Sequence, residues 1–238
     1  MNFKYFLNEE GKIAIQPKNK VELMKIIKDA IKEQGNNCDL NFIDTSKITD
    51  MSYLFYNTKF NGDISQWDVS KVKDMDHMLG GTPFNGDISN WDVSKVENMS
   101  AMFTESKFNG NISKWNVSKV KNMENMFFES NFNGDISKWN VSNVKDMRYM
   151  FCKSEFNGDN SKWDVSKVEN MSWMFSNSEF NGDISKWNVS KVNDMEGMFL
   201  GSVFNGDISK WNVSNVKNMY YMFKKSPLEG NEPDWYKD

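Results

Sequence analysis

Apolar positions recur along this chain with a fixed step of 24 residues. In one unit they fall at Phe60, Ile64, Trp67, Val69, Val72, Met75, Met78 and Leu79, and the last of these is Phe in later units. Polar residues fill the places between. The stretch "FNGDISQWDVSKVKDM" at Phe60 returns as "FNGDISNWDVSKVENM" at Phe84 and "FNGNISKWNVSKVKNM" at Phe108, and so on down the chain. The I-x-x-W-x-V part ends with period two, which predicts a short strand. The V-x-x-M-x-x-M-F part spaces its apolar residues by three and four, which predicts one side of a short helix. Ser70 or Asp74 is the expected cap of that helix, and Ser94 with Glu97, or Ser166 with Glu169, forms an S-x-x-E box. The F-N-G-D part is turn chemistry, with glycine expected to supply a positive φ.

Trp67, Trp91, Trp115, Trp139, Trp163, Trp187, Trp211 and Trp235 keep the same step. A sustained period of this length predicts a solenoid whose units cannot bury their apolar faces alone. Three parts follow. Residues 1–35 are expected to form an N-terminal cap. Residues 36–227 form the repeat array, with a degenerate first coil at 36–59 and seven full coils at 60–227. Residues 228–238 form a truncated closing unit. Within the cap, residues 2–7 and 12–16 around "NEEG" predict a hairpin. Asn19 and Glu22 then start an amphipathic helix, Val21 to Gln34, stopped by Gly35, with Val21, Met24, Ile27 and Ile31 on one side.

Composition removes several functional classes. Net charge is −4, which disfavours a nucleic-acid binder. The two cysteines, Cys38 and Cys152, are 4.75 coils apart and cannot be bridged at about 4.8 Å per rung. No apolar run approaches a membrane span, and the first residues lack the apolar core of an export signal. A cytoplasmic protein is therefore expected, with a cell-surface or secreted location reached by another route as the alternative.

The string W-[DN]-V-S-x-V-x-[DN]-M-x-x-M-F resembles the BspA-like leucine-rich repeats of bacterial surface proteins, over about Asp39 to Tyr236. The resemblance implies an α/β solenoid: a right-handed leucine-rich-repeat-like superhelix with one short parallel strand and one short helix per coil. It also implies a protein-interaction or adhesive role without an enzymatic activity.

Candidate chemistry is sparse. His77, the single histidine, has no repeated partner and reads as a surface residue rather than a general base. The aspartate column from Asp63 to Asp207 reads as turn bonding rather than calcium ligation, and the M-x-x-M pairs as core filling. No catalytic residue, metal site or cofactor is expected. The loop after the second methionine varies ("YNTK", "GGTP", "TESK", "FESN", "CKSE", "SNSE", "LGSV"), and the other departures from the repeat cluster between the two methionine columns. There Arg148, Tyr149, Trp173, Tyr221 and His77 are the candidates for contact with a protein partner. Lys114, Lys138, Lys162, Lys186 and Lys210 form the alternative, a strand-face strip for carbohydrate or polyanion. Asn160 stands where other units place isoleucine, marking a weak coil.

Overall fold

The structure, a computed structural model, describes residues 5–7 and 13–237, with side chains from residue 14 onward. Strand β1 (Tyr5–Leu7) pairs antiparallel with β2 (Ile13–Ile15), Phe6 opposite Ala14. The connecting loop expected around residues 8–11, and residues 2–4 and 12, lie outside the described residues. Strand β2 then joins the repeats. Ile15 bridges parallel to Ile43, donating its N–H to Phe42 and accepting from Asp44. Helix α1 (Lys20–Gln34) is capped by the Asn19 side chain, which accepts the Glu22 N–H, and Gly35 closes it at φ 86°. The Glu22 carboxylate reaches the Lys18 N–H, at 2.7 Å, rather than that of Asn19. The buried stripe is Leu23, Ile26, Ile27 and Ala30, while Val21 is 77% exposed. The expected stripe of Val21, Met24, Ile27 and Ile31 is thus rotated. Two series spaced by three and four overlap in this helix, and only one can face the repeats.

Successive 24-residue units lie one on another in register. Parallel bridges run Asp50 to Asp74, Asp74 to Asn98, and onward at each step to Asn218. Within a unit the expected strand and helix are both replaced. Among the described residues the repeats hold no α-helix and no extended strand. Each unit is instead a succession of tight turns closed by i+3 to i bonds: Trp67 N–H to Ile64, Val72 to Val69 and Met78 to Met75. A fourth, seen in later units, closes from Ser106 to Phe103. In the first three turns the first and fourth residues are apolar and point inward. Spacing by three therefore arises without a helix, which is why the sequence pattern misled.

Two features stop these turns from winding into a helix. An Asp or Asn stands before each of the first three, and its Oδ1 accepts the N–H two residues on: Asp63 from Ser65, Asp68 from Ser70, Asp74 from Asp76. This local bond competes with the helical ladder. The second feature is a left-handed residue in each of the last two turns, such as His77 at φ 54° and Gly81 at φ 65°. Between Met75 and Gly81 the odd-numbered N–H groups point to the next unit: Met75 to Asn98, His77 to Ser100, Leu79 to Met102, Gly81 to Thr104. Met78 and Gly80 close their own turns. Backbone donors are thus shared between the rung and its neighbour, and little is left unsatisfied.

The interior is a set of like-on-like columns. Phe108, Phe132 and Phe156 stack at 6.3 to 6.4 Å, and Trp91 lies parallel to Trp115 at 6.4 Å. Each indole N–H of that row crosses to the unit before, as Trp139 does to the Ile112 carbonyl at 3.1 Å. A further bond copies itself outside the core: Asn109 Oδ1 accepts the N–H of Asn133, and Asn133 that of Asn157. The glycine of F-N-G-D is required for a reason other than φ. A Cβ at Gly134 would stand 2.9 Å from the ring of Phe132, which folds back across it. Gly134 is not among the left-handed residues. Cys38 and Cys152 are free and buried, and burial pushes the Cys152 thiol up to about 11. At the far end Val213, Val216 and Met219 are partly buried, and Trp235 and Tyr236 reach back to Phe223 at 6.1 and 5.0 Å.

Candidate functional site: the left-handed column of the turn face

The four candidate residues His77, Tyr149, Trp173 and Tyr221 occupy one column, and every member of it is left-handed. The column reads Tyr53, His77, Ala101, Asn125, Tyr149, Trp173, Gly197 and Tyr221, with φ between 50° and 60°. Left-handed backbone costs a residue with a Cβ about 1–2 kcal/mol, and bulky residues there are rare. The ladder explains how they are held. The N–H of Tyr149 donates to Ser172 of the next unit, at 2.9 Å, and its carbonyl accepts from Cys152. Main chain satisfies main chain at this column, so the side chain is free to vary.

The structure brings these residues together in three groups along one face. Nearest α1, the His77 ring stacks on Tyr53 at 4.6 Å and meets Tyr56 edge-on at 4.9 Å, while Nδ1 lies 2.6 Å from Asp76. In the middle, Tyr149 and Trp173 are parallel at 6.0 Å, Phe128 meets Tyr149 edge-on, and Lys153 Nζ stands 5.6 Å from the Phe128 centroid. Arg148 does not project freely. It pairs with Glu124 at 2.9 Å and lies 3.2 Å from Asp146, though without hydrogen-bond geometry to the latter. Burial outweighs that neighbour and holds the Asp146 carboxyl above its usual range. Burial, with smaller contributions including Cys152 and Glu196, also raises the Tyr149 phenol. In the last group Tyr220 and Tyr221 are more than half exposed, and Lys224 Nζ lies 4.7 Å over the Tyr221 ring. Tyr56, Phe128 and Lys153 stand in the variable loop after the second methionine, and Lys224 in the same loop of the last full unit. They belong to the column three residues further on or its neighbour, and a reading of both turns together finds them.

The alternative strip is arranged differently. Lys114, Lys138, Lys162, Lys186 and Lys210 are all exposed, but they stand in tight turns and not on a strand. Asp135, Asp159, Asp183 and Asp207 lie three residues before the last four. Hydrogen bonds from the following serine hold those carboxyls below the usual range, and the adjacent lysine adds to the effect. Four of the five lysines thus stand near a carboxylate, and Asn111 takes that place beside Lys114. A shallow polar cleft of about 390 Å³ lies near the first units, lined by Asn37, Asn61, Asp63, Gln66, Asp87 and Asn90 among others, and none of the turn-face candidates borders it. Among the described residues no group of three His, Cys, Asp or Glu side chains is placed to hold a metal ion, and no helix is long and apolar enough to cross a membrane.

A tandem array of 24-residue units with variable, backbone-held left-handed columns defines the class of this protein. Four overlapping stretches, residues 22–131, 82–178, 106–202 and 154–235, match the family described as Mycoplasma protein of unknown function, DUF285, and the chain belongs to that family. No curated protein and no solved structure matches it.

Proposed function

We propose that this protein is a non-enzymatic protein-binding or scaffolding module. In this reading it is a right-handed, leucine-rich-repeat-like solenoid, similar to the BspA-like repeats, that recognises a protein partner through the left-handed column of its turn face. One observation carries the reading: along this column bulky aromatic side chains are held on a left-handed backbone that does not need them. In the Asp and Asn columns, by contrast, the outward side chains bond the turns, and they repeat. A rigid frame with freely chosen aromatics, flanked by Arg148, Lys153 and Lys224, supplies the anchor chemistry that protein interfaces use. Turn chemistry and compensated charge account for the lysine strip without a ligand.

The test is the triple variant Tyr149→Ser, Trp173→Ser, Tyr221→Ser, used as bait in affinity capture from the native cell and read by mass spectrometry. The partner recovered by the unaltered chain is expected to be lost, with the circular dichroism spectrum unchanged. Undiminished capture overturns the assignment of this face.

A further inference from the structure

Each of the seven full units carries an Asn-Gly pair, from Asn61-Gly62 to Asn205-Gly206. Such a pair readily loses its side-chain amide, because no Cβ keeps the glycine nitrogen from the asparagine side chain. The nitrogen attacks Cγ and closes a succinimide ring, and the amide leaves as ammonia with the proton of the glycine N–H. Water then opens the ring at one carbonyl or the other, giving aspartate or isoaspartate. Among the described residues the glycine N–H of these pairs makes no hydrogen bond in any unit, so the nucleophile does not distinguish them. The carboxamide does. In the first six pairs its Oδ1 accepts the main-chain N–H of the asparagine one unit on, at 2.9 to 3.1 Å. This bond aims the carboxamide at the next unit and away from the nitrogen of its own glycine. Cyclisation requires the bond to break and the side chain to turn back.

Asn205 is the exception. One unit on stands Glu229, whose N–H closes a turn on the Ser226 carbonyl at 3.1 Å instead. The Asn205 main chain still donates to Asn181, but among the described residues nothing bonds its carboxamide, and the residue is exposed. Its unit is also the least supported of the seven. Val213, Val216 and Met219 are only partly buried, and the end rung of a stack opens most readily. We propose that Asn205 is a site of self-modification, where the carboxamide is lost through a succinimide with Gly206 while the asparagine ladder protects the six like pairs before it. Water is the only co-reactant. The product carries a new negative charge in the last full unit, next to buried Phe204, and isoaspartate also lengthens the main chain there by a methylene.

The seven pairs fall in seven different tryptic peptides, so mass spectrometry reads each one separately. The full chain is incubated in warm, mildly alkaline buffer, once folded and once in urea, and digested in heavy-oxygen water so that conversion during digestion is marked. In the folded chain Asn205 is expected to convert at least about fivefold faster than any of the other six, a factor that one net hydrogen bond supports. In urea the seven rates are expected to converge. The cause is tested by rebuilding the missing partner. Pro227→Val, Leu228→Phe and Glu229→Asn together give residues 226–230 the sequence of residues 202–206. In that variant, with its circular dichroism spectrum unchanged, Asn205 is expected to slow at least about fivefold and position 229 to become the labile one. The unaltered chain tests the site whether or not the variant folds. Equal rates at all seven in the folded chain, another pair converting first, or an intact Asn205 while the urea samples convert overturns the proposal. So does an Asn205 rate unmoved in the folded triple variant.

Discussion

Two kinds of outward column run along this stack, and they differ in what holds the main chain. In the columns of Asp63, Asp68 and Asp74 the side chain itself accepts a backbone N–H, and Asp or Asn stands there in each full unit. In the column of His77 the main chain is bonded by main chain alone, and the residues run from glycine to tryptophan. Repetition at a surface position therefore marks a side chain that works for the fold. Variation marks one released from it. The same distinction separates the lysine strip, whose neighbours are tied into turns, from the aromatic face, whose side chains bond no turn of the main chain.

The interior columns follow the first rule with one polar exception, and that exception offers the largest test. Asn160 replaces isoleucine, is 1% exposed, and neither Nδ2 nor Oδ1 has a hydrogen-bond partner. An unsatisfied buried polar group costs about 1–3 kcal/mol, and the lost aliphatic burial adds to this. Asn160→Ile is therefore expected to stabilise the protein by about 2–4 kcal/mol in urea unfolding. It should also slow amide exchange most in residues 156–179, since in a stack of near-identical rungs the weakest one opens first. No gain would mean that the isoleucine column is not what holds adjacent rungs together.

The second test sets two asparagines of one unit against each other. Asn122 belongs to a column that bonds its turn, accepting the Glu124 N–H at 2.9 Å. Asn125 belongs to the left-handed column at φ 56°. Asn122→Ala should cost about 1–2 kcal/mol, as the loss of a capping side chain does, and Asn122→Asp close to nothing, since Asp74 and Asp146 do the same work. Asn125→Gly should stay within about 0.5 kcal/mol, because glycine adopts the left-handed region freely and Gly197 already does so. Equal costs at the two positions would erase the distinction drawn between the columns.

How far the sequence foretold all this follows from the same distinction. The period, the inward residues and the weak position at Asn160 were legible, because each is a repeated or interrupted demand of packing. The secondary structure was not. Ile64 to Trp67, Val69 to Val72 and Met75 to Met78 are each spaced by three, and a single tight turn and a helical turn both satisfy that spacing. What decides between them is the Asp or Asn before each turn and the left-handed residue within the third, and neither announces itself when that residue is Tyr, His or Trp. The glycine of F-N-G-D was visible, but its cause, the Phe ring folded across it, is a contact within the unit that no periodicity reveals. At the candidate site the column of Tyr149 and Trp173 could be read from variation alone. The packing of the Trp173 indole on the bare backbone of Gly197 could not, since it depends on which way the ring lies.

The smallest expected effect concerns the compensated charges. Asp135, Asp159, Asp183 and Asp207 are held below the usual carboxylate range chiefly by bonds from the serine two residues on. A group with a depressed folded pKa stabilises the fold above its unfolded value near 4, and that contribution is lost as the pH falls through the lower folded value. Stability should therefore decline below about pH 4. Asn111 makes the same turn bond to the Ser113 N–H, at 3.0 Å, with no charge to lose. Replacing the four aspartates by asparagine should leave stability at pH 7 unchanged and make the acid decline shallower. It should not abolish the decline, because Asp63, Asp87 and Asp164 are depressed in the same way. The variant has a second use. It strips the counter-charges from Lys138, Lys162, Lys186 and Lys210, so it should gain retention on heparin at low salt that the unaltered chain lacks, lost again as salt rises. If the unaltered chain is itself retained, and Lys138→Gln, Lys162→Gln and Lys186→Gln together release it, the aspartates do not neutralise the strip. The face held by its own side chains would then be a binding surface after all, and fidelity of repetition would no longer separate structure from recognition.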